Sequence, residues 1–295
     1  MIALITGASS GLGRQMAIGL AKRGFNLVIV ARRKQRLYEL KKELMEAYGV
    51  KVKVIAKDLS KAEECIALYN EVEKANIDIV INNAGFGVFG AFDETPLEDE
   101  LKMINVNITA VHILTKLFLQ KFKKRNSGYI LNVASLAAFM AGPLFSSYYA
   151  SKNYVLQLTK AIYEELRMEK SNVYIGAFCP GPVRTEFNEI SGAEFAVRGM
   201  DEGTAAEYAL EKMFDGELII VPTMGSKFLA AASRFVPTKL FLAATGKVQK
   251  GRLNDGAQKS KDDVTIELIT DEGKTLPLTE EEISALTKSE NEDSE

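Results

Sequence analysis

The chain has 295 residues, of which 47% are hydrophobic and 26% are charged, as in an ordinary soluble protein with one large core. Its formal net charge is −2, and we expect no nucleic-acid partner. Two cysteines, Cys65 and Cys179, are too few for a disulfide framework and favour a reducing, cytoplasmic setting. The one histidine, His112, argues against a histidine-based metal site or a Ser-His-Asp triad, and we expect a core or interface histidine there and no metal.

Neither end of the chain indicates a membrane segment. An apolar run begins at Ile2 and a glycine loop follows by Gly7, so we expect no signal peptide. No uncharged apolar run of about 18 residues occurs, so we expect no membrane-spanning helix. Residues 218–252 carry six Lys or Arg and no acid, whereas residues 253–295 carry thirteen acids against four lysines. We therefore predict a main domain over 1–252 and an acidic extension over 253–295.

Seven short apolar runs, rich in Val and Ile, alternate with longer amphipathic stretches. Their near-continuous apolar character is typical of strands covered on both faces. The alternation predicts an α/β fold, a doubly wound, parallel, seven-stranded Rossmann-like sheet with helices on both faces. The predicted strands are 2–6, 26–31, 52–58, 78–83, 129–135, 173–179 and 217–222. The predicted helices are 11–24, 34–48, 61–75, 97–125, 149–170 and 203–214.

The segments after the last predicted strand have a different character. The basic segment 227–252 is interpreted as two short helices broken at Pro237. It fits a lid, a subunit contact or a peripheral membrane-surface element, and we favour the first two. The acidic extension predicts a hairpin around DEGK and then a helix, where Thr279 and Glu282 have capping-box spacing. We expect its last residues to be disordered.

The stretch TGASSGLG places Gly7, Gly11 and Gly13 between the first predicted strand and the first predicted helix. Glycines there permit a tight turn and let backbone N–H groups approach a diphosphate at the helix N-terminus. The spacing is GxxxGxG rather than GxGxxG, and no GK[ST] follows, which excludes the phosphate loop of NTPases. The alternative is a plain strand–helix turn, which rarely needs three glycines.

The end of the second predicted strand indicates which nucleotide is bound. An Asp or Glu there would read the ribose 2′-hydroxyl of NAD. The sequence instead has Ala31 followed by Arg32 and Arg33. Two guanidiniums and no carboxylate suit a 2′-phosphate, so we favour NADP(H) over NAD. The alternative is that ARRKQR is a solvated helix start.

Tyr148 and Lys152 lie four residues apart in a stretch with helical apolar spacing, so they share one face. A nearby ammonium favours the phenolate, and we expect it to lower the tyrosine pKa enough for general acid–base work. The pair alone is weak evidence, because an exposed helical face gives the same pattern.

Six motifs in order carry a family resemblance: TGASSGLG, NNAG (82–85), NVNIT with Asn107, NVAS with Ser135, YYASK (148–152) and PGPVRT (180–185). With them, residues 1–222 resemble the classical short-chain dehydrogenase/reductase family. Ser135 and Tyr148 are thirteen residues apart, as the family pattern asks. The full Asn-Ser-Tyr-Lys tetrad of that family is present as Asn107, Ser135, Tyr148 and Lys152.

The resemblance implies a role for each member of the tetrad. Ser135 would hold the substrate oxygen, and Tyr148 would exchange a proton with it. Lys152 would depress the tyrosine pKa and bind the nicotinamide ribose, while Asn107 would hold a water that links Lys152 to solvent. The function implied is an NADP(H)-dependent interconversion of a carbonyl and a secondary alcohol, with 1–252 as its catalytic domain.

The resemblance also implies cofactor contacts. Asp58 matches the position that contacts the adenine amino group, Asn82 and Ala84 match the adenosine side, and Thr185 matches the position that holds the carboxamide. The alternatives are a helix N-terminal acid for Asp58 and a sheet-stabilising turn residue for Asn82. The cofactor-binding residues so predicted are Gly7, Ser9, Ser10, Gly11, Leu12, Gly13, Arg32, Arg33, Asp58, Leu59, Asn82, Ala84, Gly85, Tyr148, Lys152, Pro180, Gly181, Val183 and Thr185.

The resemblance implies a small-molecule carbonyl or alcohol as substrate, and the loops after strands four, five and six should line its pocket. Their apolar residues favour a bulky apolar compound, unless they only pack a lid. These residues are Phe86, Val88, Phe89, Leu136, Phe139, Met140, Leu144, Phe145, Phe187 and Phe195.

Two other functions are open: a non-catalytic nucleotide-sensing module, which should lack the Tyr or Lys, and an epimerase or dehydratase of the extended relatives, which should carry TGxxGxxG and a larger C-terminal domain. We expect a homodimer or homotetramer.

Overall fold

The computed structural model describes residues 1–184, 186, 199–232, 239, 242–243, 245–247, 267–269 and 275–277. The chain divides into two compact units, Met1–Lys250 and Gly251–Glu295. The functional division into a catalytic domain over 1–252 and an extension over 253–295 stays a prediction.

The first unit contains a parallel sheet of seven strands in the order β3-β2-β1-β4-β5-β6-β7. The order reverses between β1 and β4, where a doubly wound sheet leaves a crevice at its carboxyl edge. The predicted α/β fold is therefore confirmed. The strands are β1 (Ile2–Thr6), β2 (Asn26–Ala31), β3 (Val52–Ala56), β4 (Ile77–Asn82), β5 (Gly128–Val133), β6 (Val173–Phe178) and β7 (Ile219–Ile220).

Helices connect these strands and cover both faces of the sheet. The α-helices are α1 (Gly11–Lys22), α2 (Lys34–Tyr48), α3 (Ala62–Val72), α4 (Leu97–Ile104), α5 (Val111–Arg125), α6 (Ser146–Met168), α7 (Glu202–Phe214) and α8 (Met224–Ala232). A 3₁₀-helix over Leu136–Phe139 follows β5.

The single helix predicted over 97–125 is wrong in its middle. A π-helical segment, Asn105–Ala110, separates α4 from α5. A π-helix has about one more residue per turn than an α-helix, over a short segment only. The apolar pattern of the sequence continues through such a segment without a break and therefore does not reveal it. Such segments occur often at functional sites, and this one contains Asn107.

Three predicted strands extend two residues too far at their carboxyl ends. Regular pairing ends at Ala56, Val133 and Ile220, before the predicted ends at 58, 135 and 222. Backbone hydrogen bonds to the adjacent strands continue for one more residue in two of these places, since Lys57 N donates to Ala31 O and Ala134 N donates to Phe178 O. Asp58 and Ser135 therefore lie just beyond the sheet, where their side chains reach other groups.

Alternate residues of each central strand face opposite layers. Ile5 and Ile29 pack on one side with α1, α2 and α7, and Leu4 and Val28 pack on the other side with α3 and α5. Burial on both faces explains why the strands are apolar throughout. The sheet is thus buried between two helical layers, and the loops of the site leave it at its carboxyl edge.

The second unit contains an antiparallel hairpin, β8 (Glu267–Ile269) with β9 (Thr275–Pro277). The two strands lie on either side of DEGK in the sequence, and the predicted make-up of the acidic extension stays a prediction. The helix predicted after Thr279 and the helix break at Pro237 lie outside the described residues. Within the part of the chain that the structure describes, no helix has both the length and the apolar character needed to cross a membrane.

Candidate active site

The predicted site residues that the structure describes come together at one edge of the sheet. Each group follows a strand: the glycine loop after β1, the arginines after β2, Asp58 after β3, Gly85 after β4 and Ser135 after β5. Because carboxyl ends of parallel strands meet at one edge, residues distant in sequence become neighbours there. Thr185 lies outside the described residues.

The glycine loop adopts a conformation that only glycine accepts easily. Gly7 has φ +68° and Gly11 has φ +54°. A Cβ added at Gly13 would overlap with the carbonyl oxygen of Gly7 and the side-chain nitrogen of Asn83. Asn83 Nδ2 in turn donates to Thr6 O at 2.9 Å and to Gly7 O at 3.3 Å. Asn83, the second asparagine of NNAG, therefore holds the loop and was missed in the sequence analysis.

The loop fits the diphosphate of a nucleotide. The N-terminus of α1 presents partial positive charge, and the first turn of this helix carries no acidic residue. Its N-cap, Ser10, makes no side-chain capping bond with any described residue. A cleft of about 370 Å³ opens beside the loop; its lining residues are Ser9, Ser10, Gly11, Arg14, Arg36, Glu39, Leu40, Glu43, Glu186 and Glu202.

Arg33 lies over the glycine loop. Its guanidinium donates to Ser10 Oγ at 2.6 Å and to Ser9 Oγ at 3.3 Å, and pairs with Glu186 at 2.8 Å. Arg36 also pairs with Glu186, at 2.6 Å, and was missed, although it lies three residues after Arg33 on the same helical face. Arg32 is exposed, and its charge lowers the pKa of Asp58.

Asp58 is a charged group close to this edge. Burial raises its pKa, but hydrogen bonds from Ser60 and the charge of Arg32 outweigh burial, and the net shift is downward. The bond from Ser60 N, 3.1 Å long, closes a local turn just before α3, whose N-cap is Lys61. Its contact with adenine stays a prediction.

Asn82 points into the interior between sheet and helices. It is 2% exposed, and its Nδ2 donates to Asn132 Oδ1 at 2.8 Å and to Thr115 Oγ1 at 3.1 Å. Its Oδ1 has no hydrogen-bond partner among the described residues. This placement favours the sheet-stabilising alternative for the side chain. Ala84 lies closer to the loop, since its N–H donates to Thr6 Oγ1 at 3.0 Å.

The Ser135 hydroxyl lies close enough to Tyr148 to act on the pKa of its phenol, which it lowers. Ser135 caps the 3₁₀-helix after β5, and its hydroxyl oxygen accepts from Ala137 N at 3.1 Å. Lys152, one turn after Tyr148 on α6, has its Nζ 5.8 Å from the centre of the tyrosine ring. The same Nζ donates to Val133 O at 2.9 Å, which holds the ammonium at the end of β5. Three members of the tetrad are thus adjacent.

Asn107, the fourth member, is fully buried in the π-helical segment. Its side chain clamps the loop after β4, because Nδ2 donates to Phe86 O at 2.9 Å and Oδ1 accepts from Phe86 N at 3.1 Å. Nδ2 also donates to Ser151 Oγ at 3.0 Å, a contact on α6 that was missed. A Cβ at Gly85 would lie 2.9 Å from Asn107 Oδ1 and 3.3 Å from Lys152 Nζ, so this glycine lets the two side chains approach. The water predicted at Asn107 stays a prediction.

The electrostatics of the pair differ from the expectation. Burial raises the pKa of Tyr148, and only the hydrogen bond from Ser135 opposes it. Burial also lowers the pKa of Lys152 to about 8. The expectation that the lysine lowers the tyrosine pKa is therefore wrong for this structure, because desolvation dominates the shift and the charge of Lys152 does not offset it. Tyr148 is a neutral proton donor at neutral pH, and Lys152 titrates close to that pH.

An apolar cluster covers Tyr148. Phe145 stacks on its ring with centroids 4.5 Å apart, and Phe89 packs edge-on against Phe145 at 5.7 Å. Four of the predicted lining residues belong to this cluster: Phe86, Val88, Phe89 and Phe145. The cluster also contains Met103, Ala137 and Tyr149, which were not predicted to line the pocket. Phe139 packs in a different cluster, under α6. Phe187 and Phe195 lie outside the described residues.

The loop after β6 closes the remaining side of the edge. Pro180 is buried, and its carbonyl accepts from Leu136 N at 2.8 Å, which joins this loop to the 3₁₀-helix after Ser135. Val183 is also buried. His112 is exposed, and its Nδ1 is 2.7 Å from Tyr154 Oη, so it is not a core histidine, and its place at an interface stays a prediction.

Comparison with known proteins identifies relatives of this chain. The family model of the short chain dehydrogenases matches residues 1–196. A very-long-chain 3-oxoacyl-CoA reductase from Anas platyrhynchos is 32% identical over 201 residues, which cover 65% of this chain and 63% of that protein. The chain thus spans less than two thirds of the length of this relative.

Solved structures share the fold. A short-chain dehydrogenase from Sphingobium yanoikuyae in complex with NADPH superposes with a TM-score of 0.73 and 30% identity, over 92% of this chain and 99% of that chain. A short-chain dehydrogenase/reductase from Burkholderia phymatum in complex with NAD gives 0.71 and 25%, over 79% and 91%. Since the family model matches more than half of the chain, the chain belongs to the short-chain dehydrogenase/reductase family.

Proposed function

We propose that the chain is an NADP(H)-dependent short-chain oxidoreductase that interconverts a carbonyl compound and a secondary alcohol. The observation that carries the proposal is the contact of Ser135, Tyr148 and Lys152 at the carboxyl edge, next to a glycine loop that fits a diphosphate. A proton donor, a hydrogen-bonding partner and a cation at one place are what carbonyl reduction needs from a protein.

The described geometry supports a division of labour among these residues. The Ser135 hydroxyl orients the substrate oxygen beside the phenol. Tyr148 donates its proton to that oxygen, and its raised pKa keeps it protonated at neutral pH. When bound, a nicotinamide cofactor supplies the hydride.

Lys152 and Asn107 support the proton donor. Lys152, held by Val133 O, stabilises negative charge as the phenol gives up its proton. Its pKa of about 8 lets it return a proton to the tyrosine near neutral pH. Asn107 fixes the Phe86 loop and α6 around this pair, and we retain the proposal that it also positions a water for proton resupply.

NADP(H) is the proposed cofactor. Arg33 and Arg36 bring two guanidiniums to the cleft beside the glycine loop, a donor set that suits a 2′-phosphate. We propose that the predicted contacts of Asp58, Leu59, Asn82, Ala84, Pro180, Gly181, Val183 and Thr185 complete the site. Titration of Arg33→Ala with NADPH and NADH tests this choice: the affinity for NADPH should fall and that for NADH should not. Equal wild-type affinities would contradict it.

The proposed substrate is bulky and apolar. Phe86, Val88, Phe89 and Phe145 surround the proton donor with apolar surface, which favours a large ketone over a small polar one. The reductase from Anas platyrhynchos, named for a very-long-chain substrate, is consistent with this preference. A panel of carbonyl compounds of increasing size tests it: kcat/KM should rise with apolar bulk, and a preference for small polar aldehydes would contradict the assignment.

A non-catalytic nucleotide-sensing module is the second candidate. The observation that favours it is the burial of Tyr148, which is 8% exposed beneath Phe145. Such a module would bind NADPH and turn over none of the panel. The homodimer or homotetramer, the cytoplasmic setting and the lid or contact role of segment 227–252 stay predictions.

A further inference from the structure

Glu186 occupies the corner of the cleft where the two arginines converge. Its carboxylate accepts from Arg33 Nη1 at 2.8 Å and from Arg36 Nη1 at 2.6 and 2.9 Å. These arginines lie at the start of α2, whereas Glu186 follows β6, some 150 residues further along the chain. The contact therefore joins the loop after β6 to the residues that read the nucleotide.

The carboxylate offers these guanidiniums the same chemistry as a phosphate monoester. Both are anions whose oxygens accept charge-assisted hydrogen bonds from planar guanidinium groups. Arg33 also reaches the hydroxyls of Ser9 and Ser10, so its guanidinium links Glu186 to the glycine loop. Hydrogen bonds from Arg33 and then Arg36 lower the pKa of Glu186, which is therefore charged at neutral pH.

We propose that Glu186 is a specificity-determining residue that competes with the 2′-phosphate of the cofactor for Arg33 and Arg36. The inference rests on the proposed use of NADP(H). A 2′-phosphorylated nucleotide must displace the carboxylate from both guanidiniums before it can use them. A nucleotide with a 2′-hydroxyl has no charge to exchange there and leaves the Glu186 pairs intact. Glu186 thus reduces the preference for NADP(H) over NAD(H) that the two arginines alone would give.

The strength of the competition follows from exposure. The side chains of Glu186, Arg33 and Arg36 are 37%, 40% and 44% exposed, so water and salt weaken each pair. Exposed ion pairs of this kind contribute modestly, and together the two pairs correspond to about a three- to tenfold change in affinity. If they contributed nothing, removal of the carboxylate charge would leave nucleotide affinity unchanged.

The test uses Glu186→Gln in the full chain and two probes that differ only in the 2′-phosphate: adenosine 2′,5′-bisphosphate and adenosine 5′-monophosphate. Calorimetric titration at low salt should show the bisphosphate binding about three- to tenfold more tightly to the variant than to the wild type. The affinity for the monophosphate should stay within about twofold, and the gain for the bisphosphate should shrink at high salt.

Glu43→Gln is the matched control. Glu43 lines the same cleft but pairs with Arg14 at 2.5 Å, so this variant changes the net charge equally without freeing Arg33 or Arg36. Its gain for the bisphosphate should be smaller. In an Arg36→Gln background, the gain from Glu186→Gln should also shrink, because one of the contested guanidiniums is gone.

The outcomes separate this inference from the proposal beneath it. If the wild type binds both probes equally, the NADP(H) assignment fails and the inference fails with it. If the wild type prefers the bisphosphate but Glu186→Gln does not increase that preference, Glu186 is only a surface ion-pair partner and the NADP(H) assignment stands. An equal gain in Glu43→Gln also overturns the inference, since the general charge of the cleft then explains it.

Discussion

At the scale of single residues, desolvation dominates the behaviour of the catalytic pair. Tyr148 and Lys152 are both buried, and burial moves both towards their neutral forms. The sequence predicts that these residues share a helical face, because i and i+4 spacing fixes that. It does not reveal how much apolar surface, chiefly Phe145, covers the tyrosine. The direction of the tyrosine pKa shift therefore could not be predicted from spacing alone.

The pH dependence of carbonyl reduction should follow Lys152. Its folded-state pKa of about 8 keeps the ammonium charged below that pH, and the charge is lost as pH rises through it. We expect kcat/KM with NADPH to be highest below about pH 8 and to fall above it, while Tyr148 stays protonated throughout. A rate that instead rises through this range would contradict a role for the charged lysine.

The same lysine should lower stability at neutral pH. Its pKa is depressed from 10.5 to about 8 in the folded state, so between these values the unfolded chain holds more protons and stability rises with pH. Below about pH 8 the cost of the buried charge is fully present. Lys152→Met should therefore increase the free energy of unfolding at pH 7 by on the order of 2 kcal/mol, after the loss of the bond to Val133 O.

Urea denaturation at pH 7 measures this change, with Lys42→Met as the control. Lys42 is 75% exposed on α2, so its replacement should leave stability nearly unchanged. The gain from Lys152→Met should disappear as the pH approaches 10.5. A loss of stability in Lys152→Met at neutral pH would show that the ammonium is better accommodated than its burial indicates.

At the scale of elements, apolar patterning predicts the strands and most helices. Several of the site residues, however, lie in segments that this patterning did not predict correctly. The π-helical segment and the ends of β3 and β5 were predicted incorrectly, and these are the places where Asn107, Asp58 and Ser135 reach their partners. Local patterning reports average burial, whereas these residues are fixed by bonds to distant segments, such as Asn107 with Phe86 and Ser151. Asn83 was missed for the same reason.

The glycine loop gives a prediction at this scale. Gly13→Ala should destabilise the fold by about 1–3 kcal/mol and weaken NADPH binding, because its Cβ would overlap with Gly7 O and the Asn83 side chain. The control is Gly225→Ala in α8, where an added Cβ meets nothing within 4 Å. That variant should change stability by less than about 1 kcal/mol. Thermal unfolding and NADPH titration measure both variants. Equal losses of stability and of NADPH affinity in the two variants would contradict the claim that position 13 has no room for a Cβ.

At the scale of the whole molecule, the carboxyl edge gathers residues that the sequence separates widely. The strand order and the family motifs made this predictable, because the reversal between β1 and β4 brings the glycine loop beside Gly85 and Ser135. The ion pairs of Glu186 with Arg33 and Arg36 were not predictable, since they connect the loop after β6 with α2 and no short motif marks them.

The division into two units gives a prediction about the acidic extension. The seven-stranded sheet and all described site residues lie within Met1–Lys250. A chain truncated after Lys250 should therefore keep its unfolding transition and its affinity for NADPH. Circular dichroism and NADPH titration check this expectation. Loss of the cooperative transition would show that residues 251–295 are part of the catalytic fold.

The consumption of NADPH with bulky ketones, compared between the wild type and Tyr148→Phe, tests the central claim most directly. The variant keeps the ring that stacks on Phe145 but lacks the hydroxyl that contacts Ser135. We predict that the variant still binds NADPH but reduces the ketones about 10²- to 10⁴-fold more slowly than the wild type, which is the usual contribution of a general acid. Equal rates in the two proteins would contradict proton donation by Tyr148 and, with it, the proposed reaction.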